Sequence, residues 1–427
     1  MKRTLTCAMA LFVAFMLALP GVALAQDTVV TTADRAALLL ENGAASVQYA
    51  LTDDGELVLS EAVGAFSLAD PDTPPTADTA YGVGSVSKVF TAAVVMQLAD
   101  QGLLDLDTPV VTYVPEFEMA DERYADITVR HLINHSAGLP GTTVPGGILW
   151  EDHNPQLNVN FLAALKTMRL KADPGAFSVY CNDGFTLAEI VCERVGGKSF
   201  SSLIADLADM PGTFTPTLEA EGRTFDDLAR TYRADGTETP AEACGVIGAG
   251  GIYSTAEDLL HLAQLFTGES DTLSEEAQAA TMAPEYQNGL WMAAGDSIFG
   301  FGLGWDSVDT FPFSRYGIKA LWKGGDTTYY HAALVVLPEH NMSAAVLSSG
   351  GDSTSNLMLA VNMLLDQLLE TGVIDEALPD IARECDPVPL DIEVDGYAGA
   401  YANSMLNYNV SFDEDGTLTL NVPAYGE

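Results

Sequence analysis

Tyr81-Gly82-Val83-Gly84-Ser85-Val86-Ser87-Lys88 sets a serine three residues ahead of a lysine, and Val89, Phe90, Ala92, Ala93, Val94, Val95 and Leu98 continue it as a helical run. Positions i and i+3 share one face of a helix, so hydroxyl and amine can meet. A serine hydroxyl is a weak nucleophile until a base takes its proton, and an unprotonated lysine is such a base. Gly82 and Gly84 permit a sharp turn and leave room for a substrate beside the helix N-terminus. So short a motif also reads as an ordinary helix start, with Ser85 near the N-cap and Lys88 in solvent. The surrounding chain decides between the two.

Upstream, Val47, Tyr49 and Leu51 precede Asp53-Asp54-Gly55, with Leu57, Val58, Leu59 and Val63 beyond, which predicts a β-hairpin. Asp70–Thr79 is a Pro- and Asp-rich loop leading into the serine segment. Downstream, the helix should end near Gly102, and Leu104–Pro109 reads as a turn. Ile127–His135 predicts a short helix capped by Thr128. His131 and His135 stand four apart within it, a metal-compatible spacing, but the Glu of His-Glu-x-x-His is missing and structural roles are preferred. Gly141–Asn158, with Trp150 and His153, reads as a long loop that could wall a cleft.

Asp173-Pro174-Gly175 predicts a turn. Behind Tyr180-Cys181-Asn182, an amphipathic helix carrying Phe185, Leu187, Ile190 and Val191 runs to Gly196-Gly197. Tyr180 and Asn182 thus stand at a loop-to-helix junction. Gly248–Asp258 is a glycine-rich turn feeding a helix, Leu259 to Phe266, capped by Ser254 or Thr255. Without a Gly-Lys-Ser/Thr it reads as close backbone packing rather than a phosphate cradle. Phe299–Trp305, Leu321–Gly325, His331–Leu337 and Ser343–Leu347 are predicted strands of an antiparallel sheet, and Leu357–Leu369 an amphipathic helix too short and polar to span a bilayer. Residues 375–391, with Pro379, Pro387 and Pro389, form an expected linker, and residues 392–427 the start of a β-rich module.

The chain has 427 residues, 60 acidic against 18 basic, for a formal net charge of −42. Such a charge disfavours nucleic acid and anionic lipid as partners. Lys2 and Arg3, the apolar run from Ala8 to Leu19 and Ala23-Leu24-Ala25 follow the order of an export signal, residues 1–25, with an uncleaved anchor as the alternative. Cys181, Cys192, Cys244 and Cys385 would remain after cleavage. Export permits disulfides, but four cysteines allow three pairings and the spacing selects none. No ligand cluster calls for a metal or another cofactor.

Ser85-x-x-Lys88, Tyr180-x-Asn182 and Lys323-Gly324-Gly325 occur in that order, and the Ser-x-x-Lys with Lys-Thr-Gly pairing is a recognised signature. With Leu132–Pro140 and Gly250–Asp258, these motifs make residues 30–370 resemble the serine β-lactamase and penicillin-binding-protein superfamily. The likeness is nearest to the class C-related branch that includes D-aminopeptidases, DD-carboxypeptidases and esterases. The resemblance implies an α+β fold: an antiparallel sheet flanked by helices plus an all-helical lobe, spanning residues 26–374. It further implies an exported serine hydrolase that cleaves amide or ester bonds through an acyl-enzyme on Ser85. Lys88 and Tyr180 would share proton traffic, either one being the main base, and Lys323 would keep the site electropositive. Asn182 would orient Lys88 and the substrate amide, and the backbone N–H groups of Ser85 and Asp326 would form the oxyanion hole.

Two departures stand out. Gly324 removes the hydroxyl of Lys-Thr-Gly that often holds a substrate carboxylate, and Asp326 puts a carboxylate beside Gly325. Both weaken the case for β-lactams and carboxylate-ended peptides and favour an amine-bearing substrate. A peptidase or amidase, acting on a cell-wall-related or amine-bearing substrate, ranks first, an esterase second and a true β-lactamase third. A catalytically silent binding protein on the same fold is the reading from a different class. An α/β-hydrolase is disfavoured because no Gly-x-Ser-x-Gly elbow occurs.

Overall fold

Asp54 and Gly55, both at positive φ (49° and 77°), turn the chain back on itself between β1 (Ser46–Asp53) and β2 (Glu56–Gly64), as the Asp-Gly pair predicts. Three later strands complete the sheet: β3 (Leu321–Asp326), β4 (Tyr330–Leu337) and β5 (Met342–Ser349). The order is β2-β1-β5-β4-β3, antiparallel throughout, so the first and last thirds of the domain share one sheet. The computed structural model describes residues 30–143, 146–218, 222–233, 235–268, 270–285, 300–375, 398–402, 407–412 and 418–421. These fall into two compact units, one ending at residue 375 and one made of strands beyond residue 398.

Side chains alternate across a strand, and both faces of this sheet are covered. Val47, Tyr49, Leu51, Val335, Leu337, Ala344 and Val346 pack on one side with α1 (Thr32–Glu41) and the C-terminal helix Ser353–Glu370. Ala50, Leu334, Val336, Ala345 and Leu347 join the larger core on the other side. That core is built around α2 (Ser87–Asp100), in which 11 of 14 residues are buried, the pattern of a helix apolar all round.

Further helices surround α2: α3 (Val129–Ile133), α4 (Leu157–Leu165), α5 (Asn182–Gly196), α6 (Phe200–Ala205), the single turn α7 (Ile247–Gly250), α8 (Ala256–Gln264) and α9 (Glu275–Thr281). The C-terminal helix Ser353–Glu370 is α10. Thr128 caps α3, Thr255 caps α8, and Gly197 at φ 68° ends α5, as expected. The sheet with helices on both faces matches the α+β expectation.

Three expectations change. Gly300–Trp305 is no sheet strand. Gly304 at φ 85° lays the chain against α2, where a Cβ would stand 2.7 Å from Ala92 Cβ, so close packing replaces the ladder; Phe299 lies outside the described residues. The Gly141–Asn158 segment holds a short strand, Ile148–Trp150, paired with Glu242–Cys244, and α4 begins at Leu157. Weak periodicity hid both. His135 stands at φ 64° beyond the end of α3, so its four-residue spacing from His131 is not a helical one.

In the second unit, Gly399–Ala402, Asn407–Phe412 and Leu418–Asn421 form a three-stranded antiparallel sheet, in line with the β-rich reading of this region. Residues 1–25, residues 376–391 of the expected linker, and Cys385 lie outside the described residues.

Candidate active site

Ser85 sits in the 3₁₀ turn Gly84–Val86 that feeds α2, and Lys88 lies in the first turn of that helix. Lys88 is fully buried, which excludes the exposed-lysine reading. Its Nζ lies 3.0 Å from Ser85 Oγ and donates to Ala249 O on α7 at 2.6 Å. Lys88 forms no ion pair with a carboxylate among the described residues. Burial pulls its amine below the ordinary lysine range, and the Lys323 ammonium lowers it further.

Lys323, on β3, is the opposite case. Its Nζ donates to Asp306 Oδ2 at 2.8 Å, to Gly324 O at 2.8 Å and to Tyr180 Oη at 3.3 Å. Burial works against its charge, but Asp306 and Tyr180 outweigh burial and raise its pKa. Lys88 Nζ and Lys323 Nζ lie 4.9 Å and 5.2 Å from the Tyr180 ring centroid. Burial alone would raise the phenol, yet Lys323 and Lys88 together hold it below its ordinary value, assisted by a hydrogen bond with Ser85. The three motifs therefore meet in one place.

Glycine makes the meeting possible at two points. A Cβ on Gly325 would stand 2.0 Å from Val83 O and 2.8 Å from Ser85 N. One on Gly84, at φ 50°, would stand 2.6 Å from Asp326 N. The amide nitrogens of Ser85 and Asp326 thus border a contact where β3 runs against the serine turn. Gly324 is looser: a Cβ there meets Trp322 Cζ3 at 3.0 Å.

Two sequence expectations are adjusted here. Asn182 does not hydrogen-bond Lys88: its Nδ2 donates to Thr142 Oγ1 at 2.9 Å, and its buried Oδ1 has no partner among the described residues. Ala249 O holds the lysine instead, and a backbone carbonyl has no signature in sequence. Asp326 is not a bare carboxylate either. His331 Nδ1 lies 2.7 Å from its Oδ1, and Ser353 Oγ, in the first turn of α10, donates to Oδ2 at 2.8 Å. These bonds outweigh burial and lower its pKa.

Sequence reasoning missed Asp306 and the setting of His135. The His135 ring stacks on Tyr180, 4.4 Å between centroids, and its Nδ1 accepts from Cys181 N at 3.0 Å. Burial, with Lys88 and Lys323 nearby, keeps His135 neutral well below the usual range. His131 Nδ1 accepts from Thr128 N at its own helix start. Among the described residues, no group of three His, Cys, Asp or Glu is placed to hold a metal. Cys181, Cys192 and Cys244 are free thiols. No described helix is long and apolar enough to cross a membrane.

A fold of this topology, with a buried lysine beside a serine and a second lysine on the facing strand, defines a class of serine hydrolases. The chain belongs to the Beta-lactamase family, whose model matches residues 23–367. Among curated proteins it is 27% identical over 337 residues to Penicillin-binding protein 4 of Amycolatopsis lactamdurans, covering 74% of this chain and 83% of that one. It is 26% identical over 318 residues to the D-alanyl-D-alanine-carboxypeptidase/endopeptidase AmpH of Escherichia coli (strain K12), covering 69% and 77%. Among solved structures, the octameric penicillin-binding protein homologue from Pyrococcus abyssi superposes with a TM-score of 0.65 at 23% identity, covering 90% of this chain and 85% of that one. At that identity the superposition speaks for the fold.

Proposed function

We propose that this protein is an exported serine hydrolase that cleaves amide bonds, as a peptidase or amidase, through an acyl-enzyme on Ser85. The observation carrying the reading is the pair of buried lysines, of which, among the described residues, only Lys323 has a carboxylate partner. An amine without a counter-ion, buried 3.0 Å from a serine hydroxyl, is a base in waiting. Lys88 Nζ takes the Ser85 proton as Oγ attacks the carbonyl carbon. The oxyanion then lies toward the amides of Ser85 and Asp326, where β3 meets the serine turn. Tyr180, held toward ionisation by both lysines and hydrogen-bonded to Lys88, relays that proton from Lys88 to the leaving amine as its bond to the acyl carbon breaks, and water reverses the sequence in deacylation. Lys323 keeps the site positive while Asp306 balances its burial.

Peptide substrates fit the carboxypeptidase/endopeptidase activity for which AmpH is named, and the basic-apolar-small order of residues 2–25 supports export. Residues 26–374 would be the hydrolase domain, 375–391 a linker and 392–427 a β-rich module. The amine-bearing substrate class stays within the proposal: Asp326, engaged by His331 and Ser353, is held toward its ionised form and its side chain is still exposed. An esterase or β-lactamase would use the same groups. A silent binding protein would have no use for a buried lysine without a counter-ion.

Intact mass after treatment with a fluorophosphonate tests the reading. Wild type should gain one adduct and Ser85→Ala none, and D-amino-acid amides are the substrates to screen next. An unmodified, folded wild type would point to the binding protein, and an adduct on both to another serine.

A further inference from the structure

The lysine that faces Ser85 is held by Ala249 O, so whatever fixes the peptide ahead of Ala249 fixes the amine. That peptide belongs to Gly248, which is gripped at both ends. Its carbonyl accepts from Thr91 Oγ1 at 2.7 Å, and its N–H donates to Glu189 Oε2 at 2.8 Å. There is no slack around it: a Cβ on Gly248 would lie 2.9 Å from Glu189 Cβ and 3.0 Å from Phe185 O. Glu189, on the inner face of α5, is only 2% exposed, and its other oxygen accepts from Asn158 Nδ2 on α4 at 3.0 Å. No cation is ion-paired to it among the described residues.

We propose that Glu189 is a positioning residue for Lys88: through the Gly248 N–H its carboxylate fixes the turn whose next carbonyl, Ala249 O, aims the amine at Ser85. The inference rests on the role given to Ser85 and Lys88 above and extends it to a group that touches neither. A charged acceptor binds an N–H more strongly than a neutral one, so the grip is strongest when Glu189 is ionised. Burial pushes this carboxyl up to about 7, against the bonds from Asn158 and Gly248 that lower it. The titratable groups facing it are Cys192 and Glu193 on its own helix and Cys244 on the Glu242–Cys244 strand. Burial raises both of these thiols, which therefore stay neutral around neutrality.

The protonated state also has a place to go. Among the described residues, Asn158 Oδ1, the other end of the amide that serves Glu189, is buried without a partner. Turning that amide by half a rotation offers this oxygen to the new carboxyl O–H, and the Gly248 N–H is left with a neutral acceptor. The protein thus has a tight state above neutrality and a looser one below it.

The rate of fluorophosphonate labelling at Ser85, followed against pH on the full chain, tests this without a known substrate. Wild type should show a step near pH 7, and Glu189→Gln should lose it. Above the step Glu189→Gln should label about tenfold more slowly, the margin of one charge-assisted hydrogen bond over a neutral one. Asn158→Ala, at a part-exposed position, removes a bond that lowers the Glu189 carboxyl and should move the step to higher pH. A purely structural Glu189 would alter stability but leave the step in place. Wild-type rates and profile in Glu189→Gln, or an unmoved step in Asn158→Ala if Glu189→Gln does not fold, would overturn the proposal. No labelling of wild type at all would sink the reading of Ser85 and this inference with it.

Discussion

Lys88 and Lys323 approach one phenol from two elements, and their surroundings drive them to opposite protonation preferences. Burial pulls Lys88 down, whereas Asp306 outweighs the same burial at Lys323. Removing one partner of a buried pair is far worse than removing both. Lys323→Met strands the Asp306 carboxylate and should destabilise the protein by about 3–5 kcal/mol, and Lys323→Met with Asp306→Leu should recover most of that loss. Lys323 also lowers Lys88 and Tyr180, so without it both regain affinity for protons. A base works only when unprotonated, so the rise of Ser85 labelling with pH should shift to higher pH in both variants. The shift should be larger in the single variant, where an unbalanced Asp306 adds to it. Urea melts and labelling profiles check the two halves, and a double variant as unstable as the single would contradict the pairing.

At the level of elements, the motifs that announced themselves did so because their spacing maps directly onto local structure. Ser85 and Lys88 lie one helical turn apart, Tyr180 and Asn182 flank the start of α5, and Lys323-Gly324-Gly325 is part of a strand. Asp306 was invisible for the converse reason: one carboxylate among 60 acidic residues, with nothing local to mark its pairing 17 positions away. Phe299–Trp305 alternates like a strand, yet the contact of Gly304 with α2 is a tertiary fact that no local pattern records. The same contacts separate the two glycines of the Lys-Gly-Gly motif. The Cβ of Gly324→Thr is tight only against the edge of the Trp322 ring and reaches Ser353 Oγ and Asp306 Oδ2 at ordinary contact distance, so the variant should fold and keep its labelling rate within a few-fold. Gly325→Ala drives a methyl into the Val83 carbonyl. Overpacking against backbone costs about 1–3 kcal/mol or more, and here it also pushes the Ser85 turn off β3. Labelling should therefore collapse in Gly325→Ala even at temperatures where circular dichroism shows it folded. Equal labelling of both variants would mean that β3 does not set the geometry of Ser85.

Across the whole molecule, a net charge of −42 acts against the compact state, because folding gathers like charges that the unfolded chain keeps apart. Several ion pairs that oppose this repulsion are exposed on both sides, as with Arg123–Asp173 and Arg194–Glu116, and each such pair is worth about 0–1 kcal/mol. With 18 basic residues to 60 acidic ones, repulsion outnumbers attraction. Screening should therefore stabilise the fold. The Debye length falls from about 10 Å at 0.1 M salt to about 3 Å at 1 M, so repulsion between exposed charges farther apart than that is largely screened. Lys323–Asp306 is buried and escapes most of that screening, so the site should keep its electrostatics while the surface relaxes. Calorimetric Tm should rise steadily with NaCl across this range, and the Ser85 labelling profile should keep its midpoints. Sucrose at matched osmolality separates screening from solvent exclusion, because it carries no charge and should reproduce only part of the rise. A Tm that falls with NaCl would show that local ion pairs outweigh the net charge, and a rise matched in full by sucrose would remove the electrostatic explanation.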